Sequence, residues 1–150
     1  MTSEPMPILL VEDNENDVLL IKRAFNKAKI APSISVVSDG DEAVAYLSRA
    51  NQYADTEKFP IPSLILLDLK LPRRSGLEVL SWIKQQPNLR SMLVVVLTSS
   101  QENSDLTQAY DLGANSYLVK PVNFQDLVRL IELIDSYWFK TNKVPQFFSS

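Results

Sequence analysis

The feature that most constrains this chain is a set of short runs in which every residue is apolar. Ile8-Leu9-Leu10-Val11 and Leu64-Ile65-Leu66-Leu67 contain no polar position, and Met92–Leu97 extends the same pattern to six residues. A strand with one wet face alternates apolar and polar residues; a run without alternation is covered on both faces. Ile34–Val37 and Tyr117-Leu118-Val119 supply two further strands.

The intervening stretches carry helical periodicity. Residues 14–29 place Val18, Ile21, Phe25 and Ala28 on one face before Pro32, and 41–50 carry Val44 and Leu47. After the polar connection 51–63, a third helix spans about 77–86 and ends at Pro87. Ser99 and Glu102 have capping-box spacing for a fourth helix, which Gly113 closes. Asn123 caps a fifth, with Phe124, Leu127, Ile131, Ile134 and Trp138 on one stripe. Five strands alternating with five helices predict an α/β fold, a doubly wound parallel sheet covered on both sides. With 150 residues, 45% of them hydrophobic, the chain has the length of one domain, read as a lead 1–6, a domain 7–139 and a tail 140–150.

Composition removes most chemistries from that frame. There is no Cys and no His, which excludes disulfides, thiolate zinc sites, thiol nucleophiles, histidine triads and a phosphohistidine on this chain. Three glycines, Gly40, Gly76 and Gly113, cannot build a Gly-rich dinucleotide loop or a P-loop. A formal charge of −3 offers no footprint for nucleic acid or an anionic membrane. The start has no basic region and the first apolar run is too short for a signal peptide, so a soluble, cytoplasmic protein is expected.

In open parallel sheets, ligands sit beyond the carboxyl ends of the strands. There the first strand ends in Glu12-Asp13, the third in Asp68, the fourth in Thr98 and the fifth in Lys120-Pro121. Two carboxylates 4 Å apart repel by roughly 4 kcal/mol at an effective dielectric of 20. One Lys does not balance three acids, so a divalent, oxygen-seeking cation is the natural partner, and the few protein oxygens offered favour Mg²⁺ over Ca²⁺. Asp13 by itself also reads as a helix cap, and a lone Lys is most often a solvated surface group. As a set, a carboxylate nucleophile with cations and a hydroxyl around it suits phosphoryl transfer to an aspartate.

At these residues the sequence closely resembles the receiver domain of two-component response regulators. The matching motifs are Val11-Glu12-Asp13-Asn14, Leu66-Leu67-Asp68-Leu69 with Leu71-Pro72 and Gly76, Val96-Leu97-Thr98-Ser99, and Gly113-Ala114 through Tyr117-Leu118-Val119-Lys120-Pro121. They cover about residues 7 to 139. The resemblance implies the flavodoxin-like strand order 2-1-3-4-5. It implies that Asp68 accepts a phosphoryl group from a sensor histidine kinase, that Glu12, Asp13, Asp68 and the backbone carbonyl of Lys70 hold Mg²⁺, and that Thr98 and Lys120 contact the phosphoryl oxygens. It makes Thr98 and Tyr117 the switch pair, with Tyr117 turning inward on phosphorylation, and gives Lys120-Pro121 a cis peptide. Glu12 stands where Asp is commoner, and Lys70 brings a basic side chain beside the acceptor, where it would shield the phosphoryl group from water.

A narrower likeness, to the small regulators paired with cyanobacterial and bacterial phytochromes, rests on Tyr53-Ala54-Asp55 with Phe59-Pro60, on Leu71–Gly76, and on Ala109–Asn115. It implies a phytochrome kinase as phosphodonor and light signalling. No output domain follows, so a protein target, a phosphotransfer protein or a change of assembly is expected. Leu130, Leu133 and Tyr137 form a second apolar face on the last helix, extended by Val144, Phe147 and Phe148, and predict a homodimer through the fourth helix, fifth strand and fifth helix. The chain is thereby expected to be a signalling protein and not an enzyme beyond self-phosphorylation and autodephosphorylation. The alternatives are a degenerate receiver that only binds partners and, more remotely, a Mg²⁺-dependent aspartyl phosphatase. The latter lacks its second Asp, because Lys70 occupies that position.

Overall fold

The computed structural model describes residues 6–143. Five parallel strands, β1 (Pro7–Val11), β2 (Ser33–Val37), β3 (Leu64–Leu67), β4 (Leu93–Thr98) and β5 (Ser116–Val119), form one sheet in the order β2-β1-β3-β4-β5. Five helices connect or follow them: α1 (Glu15–Lys27), α2 (Gly40–Leu47), α3 (Gly76–Gln85), α4 (Asn103–Asp111) and α5 (Phe124–Ile134). This is the predicted doubly wound fold. The sequence reversal between β1 and β3 opens the switch-point crevice at their carboxyl ends.

The unbroken apolar runs split by parity into two cores. Leu9, Val11, Ile65, Leu67, Val94 and Val96 face α2 and α3, where they meet Ala43, Tyr46, Val79, Leu80 and Ile83. Ile8, Leu10, Leu64, Leu66, Val95 and Leu97 face the other way, onto Ile21, Ala24 and Phe25 of α1 and Leu127, Ile131 and Ile134 of α5. Strands buried on both faces have no polar side to slip toward, so pattern and pairing agree.

Several boundaries differ from the sequence reading for identifiable reasons. Helix α1 begins at Glu15 because Asn14 is its cap, accepting from the Asp17 N–H. Helix α2 stops at Leu47, three residues short, because Arg49 and Asn51 take left-handed backbone conformations (φ 59° and 52°). The connection after it is structured: a 3₁₀ turn at Asn51–Ala54 brings Tyr53 against Tyr46 and Phe59, with ring centroids 5.0 and 4.9 Å away. The Ser99/Glu102 capping box does not form. Ser99 is exposed, and the neighbouring Ser100 instead accepts from the Glu102 N–H and donates to Asp105. A full capping box occurs at Ser75 and Glu78 instead, at the start of α3.

Helix α5 passes at Ile134 into a widened π-helical turn, Asp135–Thr141, so its stripe is not one continuous α-helical face. Phe124, placed on the core stripe, is over a third exposed, since it starts the helix at the rim. Leu130, placed on the outer apolar face, packs partly against the second core, while Leu133 and Tyr137 are exposed. Val144, Phe147 and Phe148 lie outside the described residues. No helix among the described residues is long and apolar enough to cross a membrane.

Candidate functional site

Strand register sets the site. Val11 pairs with Leu67, so Glu12 and Asp68 leave adjacent strands at the same level, each still tied into the sheet (Glu12 N–H to Val37 O, 3.0 Å; Asp68 N–H to Val11 O, 3.1 Å). Thr98 pairs with Val119, and the Lys120 N–H bonds the Thr98 carbonyl at 2.8 Å. Behind Asp68 the chain turns sharply into α3. A Cβ on Gly76 would sit 2.2 Å from the Asp68 carbonyl oxygen, so only glycine permits that approach.

These ends enclose a cleft of about 640 Å³ lined by acidic and polar groups, among them Glu12, Asp13, Asp68, Thr98, Lys70 and Lys120. At its floor Glu12, Asp68 and Thr98 are 2%, 7% and 0% exposed, whereas Asp13 is open to solvent. One carboxylate oxygen from each of Glu12, Asp13 and Asp68 lies within 4.8 Å of the others. The Lys120 ammonium reaches across them, 2.5 Å from Glu12 Oε1 and 3.0 Å from Asp68 Oδ2. Asp68 Oδ1 accepts from the Leu69 N–H at 2.7 Å.

The electrostatics show an excess of negative charge. Burial pushes the Glu12 carboxyl up to about 7; the Asp68 charge adds to that, while hydrogen bonds from Lys120 and the Asn14 N–H oppose it. Burial by itself would depress the Lys120 ammonium, yet hydrogen bonds to Asp17, Glu12 and Asp68 outweigh it and hold Lys120 above its ordinary value. A buried acid pushed upward beside a lysine held above its ordinary value marks a carboxylate cluster short of positive charge. The donor set, three carboxylates with room for water, fits a hard divalent ion.

The model of the response regulator receiver domain matches residues 8–132. The chain belongs to that family. It is 40% identical to response regulator Rcp1 of Synechocystis sp. over 96% of both chains. It is 44% identical to the probable methanogenesis regulatory protein FilR2 of Methanothrix harundinacea over 95% of this chain and 89% of that one. The fold superposes on the phosphorylated cyanobacterial phytochrome response regulator RcpA with a TM-score of 0.87 at 38% identity, covering 95% of this chain and all of that one. The Mn²⁺-bound form of Rcp1 gives a TM-score of 0.83 at 40% identity, with the same coverages. Receivers of this family are signalling proteins, generally non-catalytic, that bind a divalent metal.

In this receiver the expected residues fall into place together: Glu12, Asp13, Asp68, Lys70, Thr98 and Lys120 all line one cleft. Tyr117 lies outside it, half-buried against the first core, with its hydroxyl donating to the Ser100 carbonyl at 3.0 Å. The tyrosine therefore already points inward, and Ser100, whose N–H reaches Thr98 Oγ1 at 3.4 Å, links the switch pair. All peptide bonds among the described residues are trans, Lys120–Pro121 included, which is the intrinsically favoured form and not the expected cis one.

Two participants were missed from sequence. Ser100 carries no local signal that sets it apart from Ser99. Asp17 lies 2.8 Å from Lys120 Nζ, and its position one turn beyond Asp13 is the signal that puts it on the cleft side of α1.

Proposed function

We propose that this receiver accepts a phosphoryl group on Asp68 from a sensor histidine kinase and passes the signal on by a change of shape at α4 and β5. The observation that carries this reading is the Lys120 ammonium lying between Glu12 and Asp68, with Thr98 in the same cleft. The Leu69 N–H holds Oδ1, which leaves Asp68 Oδ2, facing Lys120, as the nucleophile. Oδ2 forms a bond to phosphorus as the bond to the donor's imidazole nitrogen breaks, and that electron pair stays with the imidazole. Lys120 and the Thr98 hydroxyl stabilise the charge on the equatorial phosphoryl oxygens. Glu12, Asp13, Asp68 and the Lys70 carbonyl are the groups to hold Mg²⁺, which when bound neutralises charge shared between carboxylate and phosphoryl.

The phosphoryl group adds charge and acceptor oxygens where the site is already acidic. Thr98 moves to it, the Tyr117 ring settles further into the space behind, and the Ser100 link carries the shift to α4 through Asp105. That biases an existing equilibrium of the α4–β5–α5 face. The receiver unit is 7–139. The likeness to RcpA supports a phytochrome kinase as donor and light as the input, with the whole exchange in the cytoplasm.

Intact mass after incubation with acetyl phosphate, with and without Mg²⁺, tests the chemistry. One phosphoryl group is expected, gained only with Mg²⁺ and abolished in Asp68→Asn. No gain would leave a receiver that works as a binding module alone. Turnover of a phosphomonoester would instead revive phosphatase chemistry, against which the lysine at position 70 stands.

A further inference from the structure

Three carboxylates close on the Lys120 ammonium: Glu12 at 2.5 Å as an ion pair, and Asp17 at 2.8 Å and Asp68 at 3.0 Å as hydrogen-bond acceptors. Two of these are inherent in the phosphoacceptor site. The third, Asp17, comes from the first turn of α1 and joins residues 103 positions apart. Its carboxylate is 31% exposed, against 1% for Glu12 and 8% for Asp68, so it is the contact that water can most cheaply replace.

We propose that Asp17 is a positioning residue that holds Lys120 in reserve, and that its release from Lys120 is part of the cost of phosphorylating Asp68. The inference rests on the phosphoacceptor reading above and adds a control element to it. With three carboxylates closed around it, Lys120 is surrounded by anionic partners before any phosphoryl oxygen arrives. Asp68 Oδ2 gives up its own contact when it bonds to phosphorus, but the incoming group brings several acceptor oxygens and more negative charge than that contact satisfied. Lys120 can follow it only by letting Asp17 go. Asp17 lines the cleft and is the most exposed of the three carboxylates, so its charge opposes an entering donor anion until it swings into water. The geometry makes Asp17 a latch: closed on Lys120 in the unmodified protein, open in the phosphorylated one.

The test is the rate of phosphorylation by acetyl phosphate at saturating Mg²⁺, followed by intact mass. Asp17→Asn and Asp17→Ala are expected to react roughly two- to fivefold faster than wild type, the size of effect when a partly exposed ion pair no longer has to open before the transition state. Asp17→Glu, which restores a carboxylate within reach of Lys120, is expected to return the rate toward wild type. Glu15→Gln is the control for bulk charge, since Glu15 lines the same cleft but makes no contact with Lys120. It is expected to change the rate by less than about twofold. Unchanged or slower reaction in both Asp17 variants overturns the latch, as does equal acceleration by Glu15→Gln, which would reduce Asp17 to a diffuse field effect. Wild type that gains no phosphoryl group overturns the phosphoacceptor reading itself, and the latch with it.

Discussion

At the scale of single residues, the site is a problem of unbalanced charge. Asp13 makes no contact with Lys120, so in metal-free protein it contributes repulsion without compensation. Asp13→Asn is therefore expected to raise the metal-free melting temperature by about 2–4 °C and to abolish the further rise expected when Mg²⁺ is added to wild type. Thermal unfolding with EDTA and with Mg²⁺ checks both halves, and a lower metal-free melting temperature would contradict the charge argument. Lys70 acts differently. It is exposed at the cleft mouth, two residues after the acceptor. If its side chain shields the phosphoryl group, Lys70→Ala is expected to lose phosphate several-fold faster, on the order of 3-fold or more, as measured by the decay of phosphorylated mass. A variant that holds phosphate as long as wild type removes that role.

At the scale of elements, the α2–β3 connection shows how a polar stretch becomes structure. Tyr46 is almost fully buried and its hydroxyl donates to the Pro60 carbonyl at 2.7 Å, while Tyr53 donates to Glu42 at 3.0 Å. The three-ring cluster of Tyr46, Tyr53 and Phe59 anchors a segment that has neither helical nor strand periodicity in the sequence. Burial pushes the Tyr53 phenol above its ordinary value of 10, and the Glu42 charge adds to that. The sign follows from proton binding. Above pH 10 the unfolded chain loses this proton while the folded chain keeps it, so the folded state binds more protons and stability falls as pH rises. The contribution is intact below pH 10 and is lost as pH climbs through the folded value. Denaturant unfolding at pH 8 and at pH 10.5 is expected to show a larger loss for wild type than for Tyr53→Phe, which has no proton to lose. Equal losses would mean that Tyr53 ionises alike in both states. The loop after Asp68 is anchored to the same corner of the fold. Arg73 and Arg74 pair with Asp39 and Asp41 at 3.5 and 3.2 Å, which pins the Lys70 region to the start of α2.

At the scale of the whole molecule, the question is what covers the apolar residues left outside. Leu133 on α5, Val119 on β5 and Tyr110 on α4 are all exposed on the three elements proposed as a dimer face, and Tyr137, exposed in the π-helical turn after α5, adjoins them. Light scattering at micromolar concentration is expected to give a dimer mass, strengthened by phosphorylation. Leu133→Asp is expected to weaken association at least roughly tenfold, about 1.4 kcal/mol. A monomer in both states would leave that face for a different protein.

How much was legible in advance varies with the range of the physics. The strands could be read because an all-apolar run has one solution in a parallel sheet, and strand ends then named Glu12, Asp13, Asp68, Thr98 and Lys120. The start of α4 was misread because tertiary contacts chose between neighbouring hydroxyls: the helix has no side-chain cap, and Ser100 instead of Ser99 engages Glu102 and Asp105. Leu130 on the outer face of α5 also packs partly against the second core, because an amphipathic pattern gives the angle of a residue about the helix and not the reach of its neighbour. The sequence by itself determined the fold class and which residue types meet at one sheet edge, because burial periodicity and strand polarity are local. Only the tertiary structure decided how the one ammonium is divided among three carboxylates. That division depends on side chains 52 and 103 positions from Lys120 arriving within about 3 Å of it, which no local rule encodes.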